Sequence, residues 1–298
     1  MTNLFDHVVI FAKDLGATSE LWRKLGFQTS PRMYHEAKKG SMNELIMLQG
    51  NYIELLGTAR LTDTTRYYTD LAQNLDGPFM QALRTVDVDK EVSRINESEF
   101  HAETSDHVFE RAVPLPDGSS GKVRYRAWHS PYPAAPGLAV FGCHHLAPEN
   151  LWIPEWQEHP NSAERVAALT FIDDNPERHQ NYVESVLGAR ITGHHREGFV
   201  CELGDGPQGV ILEYLSPKSF FDSMEMNSDK THCRTGYCNC MTIQIRSVDR
   251  LVDMLEAAEI IHHMCGDSVI VRLGENQEMF LRFSAARSFH YGKKASGT

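Results

Sequence analysis

The chain begins with a unit that contains one apolar segment, one amphipathic segment and three further short segments. The stretch FDHVVIFA at 5–12 has the continuous apolar pattern of a buried strand. Helical spacing follows in ATSELWRKLG, where Gly26 marks the predicted end of the helix. Three short strand patterns come next, and the tight break at Gly50-Asn51 between the last two is typical of a hairpin. The pattern therefore predicts the order β-α-β-β-β for 5–57.

The same order of patterns recurs three more times along the chain. Further units begin at PFMQALRTVDV (78–88), RVAALTFIDD (165–174) and MTIQIRSVD (241–249). Repetition of one supersecondary unit is the sequence signature of a repeated architecture. We therefore predict an α+β fold that contains four βαβββ modules. The predicted domains are 1–150 and 151–298, joined through the Pro- and Trp-containing stretch 146–164.

Composition narrows the classes of partner and location. The formal net charge of −11 and the pI of about 5.7 disfavour nucleic acid or an anionic membrane surface as the main partner. No apolar run approaches the roughly 20 residues that span a bilayer, and the N-terminal residues lack the pattern of a signal peptide. The six cysteines are interpreted as reduced thiols. We therefore predict a cytoplasmic protein whose main partner is neither nucleic acid nor a membrane.

Several motifs, together with the paired modules, carry a resemblance to a known family. They are Asp6-His7-Val8-Val9-Ile10, Leu25-Gly26-Phe27, Gly40-Ser41-Met42-Asn43, Tyr52-Ile53-Glu54-Leu55-Leu56 and the stretch 145–161. This combination resembles the vicinal oxygen chelate superfamily and, more narrowly, its glyoxalase-like domain group. The resemblance implies that the four βαβββ modules pair into two cupped, mixed-sheet domains, and that two paired modules form a cup around a divalent metal. It also implies that the ligands come from the first and fourth strands of each module.

Carried over residue by residue, the resemblance implies three metal ligands. They are His7, Glu54 and one of the pair His144 and His145, since strand alternation turns only one of these two inward. We favour His145, because the group's histidine stands just before the Leu-x-Pro-Glu turn. Neighbouring strands place inward side chains about 5 Å apart, so a histidine and a carboxylate can share an ion. The fourth position departs from the pattern, because Gln81 is there at best a weak oxygen ligand.

Two histidines and one carboxylate are the ligand set of many non-haem Fe(II) oxygenases, and the same set accepts Mn, Zn, Ni or Co. The predicted function is therefore a metal-dependent enzyme that binds a small molecule through two neighbouring oxygens, with an Fe(II) dioxygenase favoured. One alternative is a glyoxalase-like lyase or isomerase. Another is a metal-free protein that binds small molecules.

Two further residues are predicted to take part in catalysis, and the second half is predicted to lack a metal. Arg84 is a candidate for binding a substrate anion, and His129 is a candidate acid–base group. Glu213 matches Glu54 in the repeat, but the strand that begins the third module, 165–174, has no histidine. The second half is therefore expected to serve in packing, in covering the cup or in a homodimer.

Overall fold

The computed structural model describes residues 3–105, 107–195, 197–226, 233–273 and 279–285. This part of the chain forms a nine-stranded and an eight-stranded sheet. The first sheet contains β1 (Leu4–Ala12), β2 (Met33–Tyr34), β3 (Ser41–Met47), β4 (Tyr52–Thr58), β5 (Gly77–Arg84), β6 (Glu103–Thr104), β7 (Phe109–Pro114), β8 (Ser120–Ser130) and β9 (Val140–His145). The second contains β10 (Ala163–Ile172), β11 (Arg190–His195), β12 (Gly198–Leu203), β13 (Val210–Leu215), β14 (Tyr237–Ile245), β15 (His262–Cys265), β16 (Ser268–Leu273) and β17 (Met279–Ser284).

The two sheets repeat one topology. The strand order is β2-β3-β4-β1-β5-β9-β8-β6 in the first sheet, with β7 on β8, and β11-β12-β13-β10-β14-β17-β16-β15 in the second. Within each module the first and fourth strands pair in parallel, and the two modules of a sheet meet along the antiparallel pairs β1–β5 and β10–β14. The predicted α+β fold of four paired βαβββ modules is confirmed. The division at residue 150 stays a prediction.

The described helices fall into two groups. The helices α1 (Leu15–Lys24), α3 (Val88–Asn96), α4 (Gln180–Tyr182) and α6 (Val248–Ala257) bury side chains in the main core, whereas α2 (Asp63–Leu71) and α5 (Pro217–Ser223) pack elsewhere. A 3₁₀ turn and a π-turn flank α4, and the whole segment ends at Gly188, whose φ of +68° suits glycine. None of the described helices has the length and apolar content needed to cross a membrane.

Strand alternation separates the main core from the cup. On β1, Val8 and Ile10 belong to a large core that contains helix residues from both halves, such as Trp22 of α1. Val9 and Phe11 point the other way and join a smaller cluster on the concave face. Successive side chains of a strand point to opposite faces, so the residues that alternate with the main core line the cup.

Two helices, α2 and α5, have no counterpart in the sequence prediction. Each follows the fourth strand of a module, after β4 and after β13 respectively. Thr62 caps the start of α2. Its hydroxyl accepts a hydrogen bond from the backbone N–H of Thr65, and the hydroxyl of Thr65 accepts one from the backbone N–H of Thr62. In addition, the first of the three short strands predicted after α1 is reduced to Met33–Tyr34. Both helices pack against cup-side residues of their sheets, which makes them important for the site.

Candidate active site

The concave face of the first sheet encloses a cavity of about 550 Å³. Its wall is largely aromatic and includes Tyr67, Tyr68, Phe109, Tyr125, Trp128 and Phe141. The polar side chains of His35, Lys39, Glu54 and His129 also face it. Cavities of a few hundred Å³ with apolar walls and few polar groups are typical sites for small molecules. We call this cavity the aromatic pocket.

A smaller cavity of about 40 Å³ adjoins the aromatic pocket. Glu54, His35, Tyr125 and Phe141 line both cavities, so the two are neighbours. The small cavity is also lined by His7, Arg111, Cys143 and His145. We call it the inner cavity. It brings His7, Glu54 and His145, which are distant in sequence, to one place, and the neighbouring His144 is half-buried at the alternate position of β9.

Asp6 is the buried anchor of this inner cavity. The register of β1 against β5 shifts between Phe5 and His7, so Asp6 is an extra residue in the strand. Such bulges re-aim side chains and are frequent beside active sites. Its Oδ2 lies 2.9 Å from Nδ1 of His7 and 2.9 Å from Nε2 of His145. Burial alone would raise the pKa of Asp6, but the charges and hydrogen bonds of the two histidines bring it well below its usual value.

His7 is held between two carboxylates. Its Nδ1 faces Asp6, and its Nε2 lies 3.4 Å from Oε2 of Glu54. Its ring stacks on Tyr52 with centroids 4.3 Å apart. Burial acts to lower the pKa of His7, but the hydrogen bonds and charges of Asp6 and Glu54 outweigh it and raise the pKa. A carboxylate on one ring nitrogen orients a histidine so that the other nitrogen is available to a ligand or ion.

Glu54 is the carboxylate shared by both cavities. Its Oε1 accepts a hydrogen bond from Nδ2 of Asn43, and Nε2 of His35 lies 3.8 Å from the same oxygen. Burial would raise the pKa of Glu54, but the hydrogen bond and charge of His7 lower it below the usual value. Glu54 is therefore ionised at neutral pH and available as a ligand or proton acceptor.

Arg111 places a positive charge beside these groups. Its Nη1 donates to Nε2 of His35 at 2.8 Å, so Nε2 must be the unprotonated nitrogen. The proton then sits on Nδ1 of His35, which lies 2.9 Å from Oγ of Ser41. Burial, reinforced by the charge of Arg111, lowers the pKa of His35 to about 3. No carboxylate of the described residues lies within 4 Å of the Arg111 guanidinium.

The donor set of the inner cavity suits a divalent ion in its chemistry. Nε2 of His7 and the carboxylate of Glu54 face each other, and within the described chain Nδ1 of His145 has no hydrogen-bond partner. Buried polar atoms without a partner are costly, which is consistent with a ligand at this position. Among the described residues, however, no three His, Cys, Asp or Glu side chains already surround one common point. These residues would have to converge to hold an ion.

The two predicted catalytic residues lie outside the inner cavity. Arg84 donates from Nε to Oδ1 of Asp6 at 2.8 Å and from Nη2 to the carbonyl of Gly50 at 2.9 Å, with its guanidinium 4.5 Å from the Trp152 ring centre. Arg84 therefore does not line the inner cavity, and the carboxylate of Asp6 already balances its charge. His129 lines the aromatic pocket, half exposed, with Nε2 2.8 Å from Oε1 of Glu103.

A family model described as a glyoxalase-like domain matches residues 5–187. The chain belongs to the glyoxalase-like domain family. The match includes the strands that carry Asp6, His7, Glu54 and His145, and it supports the wider vicinal oxygen chelate superfamily. It also continues beyond the first sheet into the helical segment before Gly188. No curated protein matches this glyoxalase-like chain significantly.

Solved structures share this fold at low sequence identity. A hypothetical protein from Staphylococcus aureus aligns with a TM-score of 0.67 and 12% identity over 94% of this chain and 98% of its own. A variant of homoprotocatechuate 2,3-dioxygenase from B. fuscum aligns with a TM-score of 0.58 and 12% identity over 94% and 70%. A fusion of a xylose isomerase-like TIM barrel with 4-hydroxyphenylpyruvate dioxygenase aligns with a TM-score of 0.56 and 10% identity, over 95% of this chain and 48% of its own. Likeness at these identities establishes the fold alone.

Three residues of the site were not predicted from the sequence. Asp6 stands next to His7, and the pair of polar residues at the start of an apolar strand was the available signal. Arg111 and Lys39 lie in segments where alternating polar residues are ordinary for a half-exposed strand or turn. Their importance comes from the cavity they face, which depends on contacts between distant segments.

Proposed function

We propose that this glyoxalase-like protein is a metal-dependent enzyme acting on a small, largely apolar molecule that presents two neighbouring oxygen atoms. The observation that carries the proposal is the placement of His7. Its Nδ1 is anchored on Asp6 and its Nε2 faces the ionised Glu54, in the inner cavity that adjoins the aromatic pocket of about 550 Å³. A buried, oriented histidine beside a carboxylate is the arrangement found around protein-bound metals.

In this proposal His7, Glu54 and His145 hold a divalent ion, His145 through Nδ1 because its Nε2 is bonded to Asp6. Fe(II) is favoured for two histidines and a carboxylate, and Mn, Zn, Ni or Co are also compatible with the donors. The bound ion would supply Lewis acidity toward the substrate oxygens. We favour a dioxygenase over a lyase or isomerase on the ligand types.

The surrounding residues have separate roles. Asp6 orients His7 and keeps its Nδ1 protonated. Arg111, without a carboxylate partner among the described residues, stabilises negative charge that develops on a substrate oxygen. Phe141 and Tyr125 line both cavities, bind the apolar body of the substrate and exclude water from the inner cavity.

Metal-free binding of a small molecule is the second candidate function. It is favoured by the fact that His7, Glu54 and His145 of the inner cavity already have charged or polar partners within the protein. Asp6 bonds to His7, His145 and Arg84, and Glu54 faces His7. In this alternative the aromatic pocket traps its ligand without an ion. Binding that is unchanged by a chelator would favour it.

Elemental analysis of the full chain, purified without chelator, tests the main proposal. The second sheet offers a matched control, because Glu213 occupies the same position on β13 that Glu54 occupies on β4. We expect the wild type and Glu213→Gln to carry a similar amount of metal. Glu54→Gln and His7→Ala should retain about a tenth or less, since each removes one ligand.

Circular dichroism would show that each variant is folded, and titration with Co(II), followed by its visible absorption, would report binding independently of activity. Metal content that is equal in the wild type, Glu54→Gln and His7→Ala would overturn the proposed metal site. A cytoplasmic location and a homodimeric assembly stay predictions from the sequence.

A further inference from the structure

Lys39 directs its ammonium group into the aromatic pocket. It lies in the turn between β2 and β3. Its Nζ is 3.6 Å from the centre of the Phe109 ring and donates a hydrogen bond to the hydroxyl of Tyr125 at 3.4 Å. Both aromatic residues belong to the wall of the same pocket. The side chain is thus folded inward over apolar surface rather than extended into water.

Lys39 forms no ion pair with an acid of the described residues, and Glu54 and Glu36 act on its charge only from a greater distance. Among the described residues, no carboxylate oxygen lies within 4 Å of its Nζ. The adjacent Lys38, in contrast, is 63% exposed in its side chain and lies 3.3 Å from Glu36. Removing an ammonium from water without an anionic partner is unfavourable. Burial accordingly lowers the pKa of Lys39 to about 8.

The groups around Lys39 leave hydrogen-bond donors available in the pocket. The Tyr125 hydroxyl accepts from Lys39, so its own proton is free to be donated to a further acceptor. The ring of Phe109 supports the ammonium from one side and leaves its other hydrogens available. An anionic oxygen in the pocket would therefore meet a charged donor and a hydroxyl donor together. Such charge-assisted hydrogen bonds are stronger than neutral ones.

Building on the proposed function, we infer that the substrate of this site is a carboxylate attached to an aromatic or similarly flat apolar body, and that Lys39 binds the carboxylate. The inner cavity would receive the oxygen-bearing end of this molecule, and the aromatic wall would receive its ring. Lys39 is then a specificity residue, which selects anionic over neutral molecules of the same shape.

Two probes that differ in one group test this inference. Catechol and 3,4-dihydroxybenzoate carry the same neighbouring hydroxyls, and only the second carries a carboxylate. Isothermal titration calorimetry at pH 7 would measure their affinities for the wild type, Lys39→Met and the control Lys38→Met. We expect the wild type and Lys38→Met to bind the carboxylate about tenfold more tightly than catechol, since a charged hydrogen bond is worth roughly this factor. Lys39→Met should lose the preference without losing affinity for catechol.

The outcomes separate this inference from the proposed function. If the wild type binds both probes equally, or if Lys39→Met keeps the preference, the role of Lys39 is overturned while the proposed function stands. If the wild type binds neither probe, both are contradicted. A thermal melt of Lys39→Met completes the test, because removal of a half-buried charge that has no ion-pair partner should leave the melting temperature unchanged or raise it. A clear fall would instead indicate a structural role for this lysine.

Discussion

The two sheets have one topology, but the matching glutamates of their cups stand in different surroundings. Glu54 on β4 pairs in register with Val9 of β1, and Glu213 on β13 pairs in the same way with Thr170 of β10. Glu54 faces His7 and lines two cavities, whereas Glu213 is completely buried and accepts a hydrogen bond from Thr170 at 2.7 Å. Ala168 stands where the first sheet has His7.

The helix after the fourth strand explains much of this difference. In the second sheet, α5 places Phe220 and Phe221 in a buried cluster with Ile172, Leu215 and Phe280 of the strands. In the first sheet, α2 instead supplies Tyr67 and Tyr68 to the wall of the aromatic pocket. The second cup is thus a packed core, because residues of α5 fill it. The first cup keeps a cavity, because residues of α2 form part of its wall. One fold can therefore serve stability in one copy and function in another, because function depends on the site and not on the scaffold.

Phe220→Ala is the substitution with the largest expected effect on the difference between the two cups. The side chain is 1% exposed and fills the second cup. We expect the free energy of unfolding to fall by about 3–5 kcal/mol, the usual cost of truncating a buried phenylalanine. Tyr67→Ala, at a side chain that is 53% exposed, should cost less than about 1 kcal/mol. Urea denaturation measures both values, and equal losses would contradict the distinction between a filled and an open cup.

Asp6→Asn would test whether the carboxylate of Asp6 holds the two histidines in place. The second sheet lacks this carboxylate, since Ala167 stands at the corresponding position of β10. An amide cannot balance His7, His145 and Arg84 as a carboxylate does. We expect metal affinity to fall by about 10- to 100-fold, the range typical when a group behind a ligating histidine is removed. Competition with a metal-sensitive dye measures this change. Unaltered affinity would show that Asp6 has only a structural role.

The pH dependence of binding gives the smallest expected effect. The ammonium of Lys39, whose pKa is about 8, loses its proton as the pH rises, so affinity for 3,4-dihydroxybenzoate should fall several-fold between about pH 7 and pH 9. Lys39→Met should lack this fall, and the difference between the two proteins isolates Lys39 from other groups that titrate. Other titratable or charged groups that face Lys39 or share its pocket are His35, Glu36, Glu54, Asp63, Tyr67, Tyr68, Arg111, Tyr125, His129 and Cys143. A parallel fall in both proteins would assign the effect to one of these.

Much of the scaffold was readable from local patterns. The recurrence of apolar segments predicted the modules, whereas the continuous apolar pattern of 5–12 did not predict that Val8 and Ile10 face the main core and Val9 the cup. The recurring patterns depend on neighbours in sequence, where the period of two is fixed by backbone geometry. The helices α2 and α5 were missed because both are short, and short helices take most of their stability from packing rather than from propensity.

The amino-acid order alone was therefore sufficient for the repeated α+β scaffold, and the family resemblance supplied His7, Glu54 and His145, which line one cavity. The order alone was not sufficient for the chemistry around them. Asp6 reaches Arg84 and His145 across 78 and 139 positions of the chain, through a bulge that shifts the register of β1. Such contacts depend on which strands pair and how each helix packs. Strand pairing and helix packing are determined by the burial of side chains over the whole molecule, and a local sequence pattern does not contain this information.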